Sequence, residues 1–471
     1  MKIIGRDEEI RELDVYTQSG KPEFLVVYGR RRVGKTYLIR EYFKDDFVFS
    51  HTGLASGNTA VQLAEFNKSL RRYRGEDHRN AADWPDAFDC LREHIERDKS
   101  DRKVIFIDEL PWMDRQKSLL LAALEHFWNG WASGRGDILL IVCGSATSWV
   151  ISKLLQDKGG FYGRITGRLF VKPFTLGECE AYYRENGIVF SRYQMVESYM
   201  IFGGIPYYLS LMRKELGFAQ NVDRLCFREG GALRGEYELL YRSLFKNPEG
   251  HISVVEALSN KRAGLPRDAI LKSCKLNDGG GFTRILRELE ECGFIRRYTG
   301  YGKKSRDALY QLTDPFTFFH LRFIKDGSTY DTPFWSAYTD DGGHRAWTGY
   351  AFEQVVLAHI SQIKRKLQIG GVLTRQYSWR SAKSNPAVQI DLVIERNDGV
   401  INLCEIKYSG DEYEMDMAYA KLLRRRAEVF RRETGARQAL HTTFITTYGL
   451  ERNEHSADIQ SIVTMEDLFA Q

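Results

Sequence analysis

Apolar and polar positions fall in blocks along this chain, and the period of the blocks changes several times. The sharpest change comes early, where the apolar run Phe24 to Tyr28 empties into Gly29-Arg30-Arg31-Arg32-Val33-Gly34-Lys35-Thr36 and then into a helical pattern from Tyr37 to Phe43. A continuous apolar run bounded by turn signals predicts a strand buried on both faces. Asp46 to His51, Lys103 to Asp108, Asp137 to Thr147 and Leu169 to Phe174 repeat that signature, with helical periods over 59–72, 84–97 and 117–131 between them. The polar stretch from Arg74 to Asn80 reads as a surface connection. Strands alternating with helices predict an α/β fold, a parallel sheet flanked by helices, over residues 1–175.

Farther along, three helical patterns, Ile252 to Leu258, Pro266 to Leu271 and Gly281 to Glu291, precede a hairpin from Phe294 to Leu312. This succession predicts a winged helix over 246–330. Pro333 to Trp335 and the polar Thr339 to His344 read as a linker into a last domain, 340–471. There an amphipathic helix from Gly349 to Leu357 is followed by the strands Gln389 to Ile394 and Leu403 to Lys407, separated by the Asn397-Asp-Gly399 turn signal.

Composition changes the picture only a little. A length of 471 residues suggests about three domains. With 68 basic against 63 acidic residues the net charge is +5, too small to demand a nucleic-acid partner by itself. The seven cysteines are scattered without metal-ligand spacing, which favours reduced thiols and no zinc site. No signal peptide is evident, and no apolar run approaches the roughly 20 residues of a membrane span. The expectation is a soluble, cytoplasmic protein with no membrane partner.

The chemistry begins at the glycine-punctuated loop. Gly29 and Gly34 let the backbone turn tightly, so that N–H groups from Gly29 through Tyr37 and a helix N-terminus face one anion. Lys35 would reach the β- and γ-phosphates of ATP, and Thr36 would ligand Mg²⁺. Asp108, at the tip of its strand, would complete the Mg²⁺ shell, while Glu109 would orient or deprotonate the attacking water. Ser145 follows a further buried strand and is either a γ-phosphate sensor or a helix N-cap. Arg164 and Arg168, on a Gly-rich segment, are either arginine fingers or solvated surface charges. The box Ile4-Gly5-Arg6-Asp-Glu-Glu9-Ile10 is either an adenine contact or an acidic helix start.

Together, Gly29 to Thr36, Ile107 to Glu109, Gly144-Ser145, Gly163-Arg164 and Phe202-Gly203-Gly204-Ile205-Pro206-Tyr207 resemble the archaeal-type AAA+ ATPases, relatives of the STAND signalling ATPases. The resemblance extends over nearly the whole chain and implies a nucleotide-driven switch. It also implies a helical lid over 176–245, with Gly203 to Pro206 coupling ATP to domain arrangement; a rigid bend is the alternative. Whether an arginine finger acts in cis or, in a homo-oligomer, in trans stays open. In this family a winged helix serves either DNA contact or interdomain spacing. Arg284, Arg287, Arg296, Arg297, Lys303, Lys304 and Arg306 make the present one locally basic.

Asp391 with the Glu405-x-Lys407 pair is similar to the D-x(n)-E-x-K pattern of restriction-endonuclease-like enzymes, although Pro386 lies five positions before Asp391, displaced from the usual place. Asp391 and Glu405, helped by Glu353, would hold Mg²⁺, and Lys407 would position the nucleophile or stabilise developing charge. The bland alternative is a hairpin whose charges face solvent. The helix Ala418 to Arg432, with Lys421, Arg424, Arg425, Arg426, Arg431 and Arg432, could lie along a phosphate backbone. Two functions follow from these readings: an ATPase switch controlling a metal-dependent DNA nuclease, or a non-cleaving ATP-dependent DNA-binding regulator. A peptide-sensing switch would need a C-terminal repeat array, and none is visible.

Overall fold

The computed structural model describes residues 2–74, 79–156, 159–325, 334–337, 342–381 and 383–470. The connection expected over 74–80 and the linker expected over 333–335 and 339–344 lie partly outside these residues. The chain divides into two compact units, Met1–Pro173 and Phe174–Gln471.

The first unit is a five-stranded sheet with all neighbours parallel. Its strands are β1 (Glu23–Tyr28), β2 (Phe49–Thr52), β3 (Lys103–Asp108), β4 (Ile138–Gly144) and β5 (Gly167–Phe170), in the order β2-β3-β4-β1-β5. Alternate strand residues, Phe24 and Val26, Ile105 and Ile107, Leu140 and Val142, join one core with Phe66, Trp84, Leu91, Leu124 and Trp128 from the helices Thr59–Arg74, Trp84–Arg97 and Leu120–Gly130. The intervening residues Leu25, Val27, Phe106, Leu139 and Ile141 are buried as well. Helices therefore cover both faces, which is why these strands read as unbroken apolar runs. Asp83 begins the second of those helices by accepting from the Asp86 N–H at 2.9 Å.

The second unit opens with the helices Leu176–Glu185 and Arg192–Phe202, each started by a capping box, Thr175 with Glu178 and Ser191 with Gln194. Arg192–Phe202 ends at Gly203, and both Gly203 and Gly204 have positive φ. A Cβ on Gly204 would lie 2.2 Å from the Phe174 carbonyl oxygen, so this turn admits only glycine there. Three helices, Glu249–Ser259, Arg267–Cys274 and Gly280–Glu291, then share a core with a small antiparallel sheet of β6 (Leu265–Pro266), β7 (Ile295–Tyr298) and β8 (Leu309–Leu312). The chain closes with a mixed sheet of β9 (Thr374–Arg380), β10 (Gln389–Arg396), β11 (Val400–Lys407), β12 (Ala439–Thr446) and β13 (Ser461–Thr464), in sequential order. Strands β9 to β11 run antiparallel; β11 to β13 run parallel, with the helix Met417–Thr434 as the crossover from β11 to β12. Its Val429 and Phe430 pack on Ile390, Val393 and Leu403.

Candidate functional site

Because all five strands of the first unit run the same way, their carboxyl ends gather the sequence-distant groups of the loop region. The loop leaves β1 at Gly29, where a Cβ would lie 2.3 Å from the Val171 carbonyl oxygen. Arg32 and Gly34 take positive φ, and Lys35 opens the helix Lys35–Phe43. The Lys35 side chain is only 6% exposed, and its ammonium donates to the Gly29 and Arg30 carbonyls, both at 3.0 Å. Thr36 Oγ1 donates to Asp108 Oδ2 at 2.9 Å, joining the loop helix to the tip of β3. The other Asp108 oxygen accepts the Glu109 N–H at 3.0 Å.

Glu109 adopts φ 49°, a conformation unusual for a non-glycine residue and characteristic of strained functional turns. Gly53 permits that turn, since a Cβ there would lie 2.7 Å from the Glu109 carbonyl oxygen. The Glu109 carboxylate accepts from both the N–H (3.1 Å) and the hydroxyl (2.9 Å) of Ser145, at the end of β4 next door. Burial, and then the neighbouring Asp108 charge, push the Glu109 carboxyl above the usual range. A hydroxyl–carboxylate pair and a second, proton-hungry carboxylate thus converge where the lysine-bearing loop begins. Arg31 and Val33 complete the loop, and Tyr37 is exposed on the first helical turn.

Sequence reasoning overlooked the role of Arg6. Its guanidinium, buried with 5% exposure, donates to the Val33 carbonyl (2.9 Å) and the Lys172 carbonyl (2.7 Å) and pairs with Glu9. It braces the phosphate-type loop against the chain beyond β5. The box containing it was visible, but its long-range acceptors carry no sequence signal. Arg164 and Arg168 are not gathered with these groups. Thr166 pairs with Phe24, at the amino end of β1, so Arg164 precedes β5 at the opposite edge of the sheet. Arg168, beside Val26, is exposed on the outermost strand.

A second charged cluster lies wholly within the second unit. The antiparallel register of β10 and β11, with Leu392 opposite Cys404, carries Asp391 toward Glu405. Glu353 reaches the same place from the helix Gly342–Ala358, which packs on β11. Burial, and then Asp391, raise the Glu353 carboxyl to about 8; burial, and then Glu405, raise Asp391. Glu405 is held differently. One oxygen accepts from the Tyr419 hydroxyl and lies 3.3 Å from the Lys407 ammonium, and the other pairs with Arg426. The sequence placed Arg426 on a phosphate-tracking stripe. It instead turns inward, because Tyr419 and Arg426 lie two helical turns apart on the face toward β11. Among the described residues, no three His, Cys, Asp or Glu side chains are arranged to hold a metal ion, consistent with both Glu405 oxygens already having partners.

With the geometry in place, residues 3–212 match the family model of an ATPase domain predominantly from Archaea. The protein carries an archaeal-type ATPase domain and is an ATP-hydrolysing enzyme. Its fold is similar to that of the Walker-type ATPase PABY2304 of Pyrococcus abyssi, 18% identical, covering 68% of this chain and 96% of that one at a TM-score of 0.50. The ORC2 protein of Aeropyrum pernix, in ADPNP and ADP complexes, is 12% identical over 68% of this chain and 92% of its own, at a TM-score of 0.41. The uncharacterized protein MJECL04 of Methanocaldococcus jannaschii is 24% identical over 410 residues, 86% of this chain and 87% of that protein. No helix among the described residues is long and apolar enough to cross a membrane.

Proposed function

We propose that ATP turnover in the first unit controls a metal-dependent DNA nuclease in the second. In this reading residues 1–175 are the ATPase core, 176–245 a helical lid bearing Gly203 to Pro206, 246–330 a winged helix, and 340–471 a restriction-endonuclease-like domain. Lys35 leaves its loop carbonyls for the β- and γ-phosphates, and backbone N–H groups from Gly29 to Tyr37 hold the phosphate chain. Thr36 and Asp108, already in contact, fit as holders of Mg²⁺, which would spread the charge of the β- and γ-phosphates. Ser145 hands Glu109 over to the attacking water and itself reports the γ-phosphate. Arg164, at the far edge of the sheet, serves as a finger only in trans, for a second copy in a homo-oligomer; Arg168 shares that exposed edge strand.

The nuclease reading rests on one observation: Glu353 and Asp391 crowd one buried cleft with Glu405 and Lys407 beside them, and the two carboxyls are raised by burial and by like charge. As they stand these carboxylates do not form a metal-holding set; after rearrangement Glu353 and Asp391 would be the residues to hold Mg²⁺, which would polarise a phosphodiester there, while Lys407 would steady developing negative charge. Glu405, now paired with Arg426, would be a further residue to hold the ion if Arg426 turned to the substrate phosphate instead. That same Arg426 pairing favours the second reading, a regulator that binds DNA without cutting it. Asp391→Ala decides between them. We expect complete loss of Mg²⁺- or Mn²⁺-dependent DNA cleavage with ATP turnover retained, measured on the same preparation. Absence of cleavage in the wild type, with a change only in thermal stability in Asp391→Ala, would leave the regulator.

A further inference from the structure

From the sequence, the hairpin of β7 and β8 reads as a wing that serves either DNA contact or interdomain spacing. In the structure it is docked. Gly300 bridges to Ser378 on the edge strand β9, and the Tyr301 N–H donates to the Ser378 carbonyl at 2.9 Å. The Tyr301 ring packs on Tyr377 and Phe430 with centroids 5.3 and 5.1 Å away, and its hydroxyl donates to Glu395 at 3.3 Å. At the hairpin's other end the Tyr350 hydroxyl donates to the Leu312 carbonyl at 2.9 Å, and Arg262 donates to the Ala346 carbonyl. These bonds close a cleft of about 510 Å³ whose one wall is the hairpin and its neighbours and whose other wall is the C-terminal sheet.

Glu353 and Asp391 line this cleft, and so do Arg262, Arg296 and Arg380 together with the aromatic residues Tyr298 and Trp379. Carboxylates alone would repel a polyanion; the three guanidinium groups on the facing and flanking walls offset that repulsion. Arg296 is pre-positioned for the task, since its Nε donates to Gln311 Oε1 at 2.7 Å and its guanidinium stacks 4.7 Å from the Tyr298 ring. Gln311 in turn donates to the Arg262 carbonyl, which ties the two arginines into one rigid wall. Arginine forks beside aromatic faces are the combination that holds phosphates and stacks unpaired bases. Size decides the rest. A cleft of this volume accommodates a ligand of one or two nucleotides, whereas the major groove of duplex DNA alone is about 12 Å wide, so a base-paired helix cannot enter.

We propose that the cleft takes a single-stranded polynucleotide, threaded between the hairpin and the C-terminal sheet and gripped by Arg262, Arg296 and Arg380. What happens to the strand there rests on the nuclease reading; its capture does not. The test uses the full chain in EDTA and measures the fluorescence anisotropy of labelled oligo-dT, oligo-rU and a blunt, tightly looped duplex of equal charge. We expect the unpaired strands to bind at least about tenfold tighter than the duplex, and Arg296→Ala to weaken them by about tenfold. Arg380→Ala, at an exposed position and so free of folding risk, should weaken them several-fold without moving the thermal midpoint. The dT and rU arms show whether the ribose 2′-hydroxyl contributes. Equal binding of the duplex, or single-strand affinity unchanged in both variants, overturns the proposal. Arginine-dependent capture with no cutting in Mg²⁺ or Mn²⁺ sinks the nuclease reading and leaves the cleft assignment standing. Internal cutting of the blunt duplex at least as fast as of single strands does the reverse.

Discussion

At the phosphate-type loop of the first unit, Lys35, Asp108 and Glu109 are each satisfied by groups close to a strand end. Lys35 lies under two loop carbonyls, Asp108 binds Thr36 and a backbone N–H, and Glu109 binds Ser145. In the cleft of the second unit, charges of one sign crowd together: beyond the effect of burial, Asp391 raises Glu353 and Glu405 raises Asp391, while the compensating arginines come from β7, from the segment just before β6 and from the edge strand β9. The difference has a topological origin. Parallel strands deliver their functional ends to one edge automatically. A mixed sheet delivers only neighbouring strand residues, and the remaining groups must be supplied by docking another element against it.

If the first centre is self-contained, breaking it should abolish ATP chemistry and leave the cleft intact. Lys35→Ala is expected to lower ATP turnover by at least roughly 100-fold, because it removes the buried cation proposed to reach the transferring phosphate. Oligo-dT affinity in EDTA should be unchanged; normal phosphate release from this variant would show that another group carries the charge. Glu109→Gln should slow hydrolysis by about 100-fold while retaining ATP, since Asp108 and Thr36, the proposed holders of the cation, remain. Equilibrium binding of a labelled nucleotide beside single-turnover hydrolysis separates the two effects.

A smaller effect sharpens the contrast through pH. His359, fully buried, accepts the Leu176 N–H at 2.9 Å on Nε2 and faces the Val355 carbonyl on Nδ1, so it is held neutral, and burial lowers its pKa to about 4. The unfolded chain binds a proton first, at about 6.5, so stability is full above that pH and falls between about 6.5 and 4, by on the order of 3 kcal/mol for this group. His51 in the first unit is depressed to about 4 as well, again by burial. Thermal midpoints at pH 7 and pH 4.5 should differ, and His359→Gln should flatten the slope. Smallest of all, Arg6→Ala leaves the Val33 and Lys172 carbonyls without their donor and should cost about 1–3 kcal/mol. Chemical denaturation measures it, and an unchanged midpoint would mean that the loop does not need this brace.

What was legible beforehand follows the same division. The loop from Gly29 to Thr36, the Asp108-Glu109 strand tip and the Ser145 strand end could be read because each is a contiguous run whose period and turn residues report its own conformation. Their convergence needed only that the strands be parallel, which burial on both faces already implied. The brace from Arg6, the inward turn of Arg426 onto Glu405 and the docking of Tyr301 on β9 left no such trace. Each depends on acceptors, or on a sheet edge, tens to hundreds of residues away.

The sequence by itself therefore determined an α/β ATPase domain and the residue types at its loop, since local chemistry and hydrophobic period suffice for both. Only the tertiary structure decided which charges pair with which in the second unit. An arginine on a helix or a hairpin faces phosphate, carboxylate or solvent according to what packs against it, and that choice is made by long-range burial.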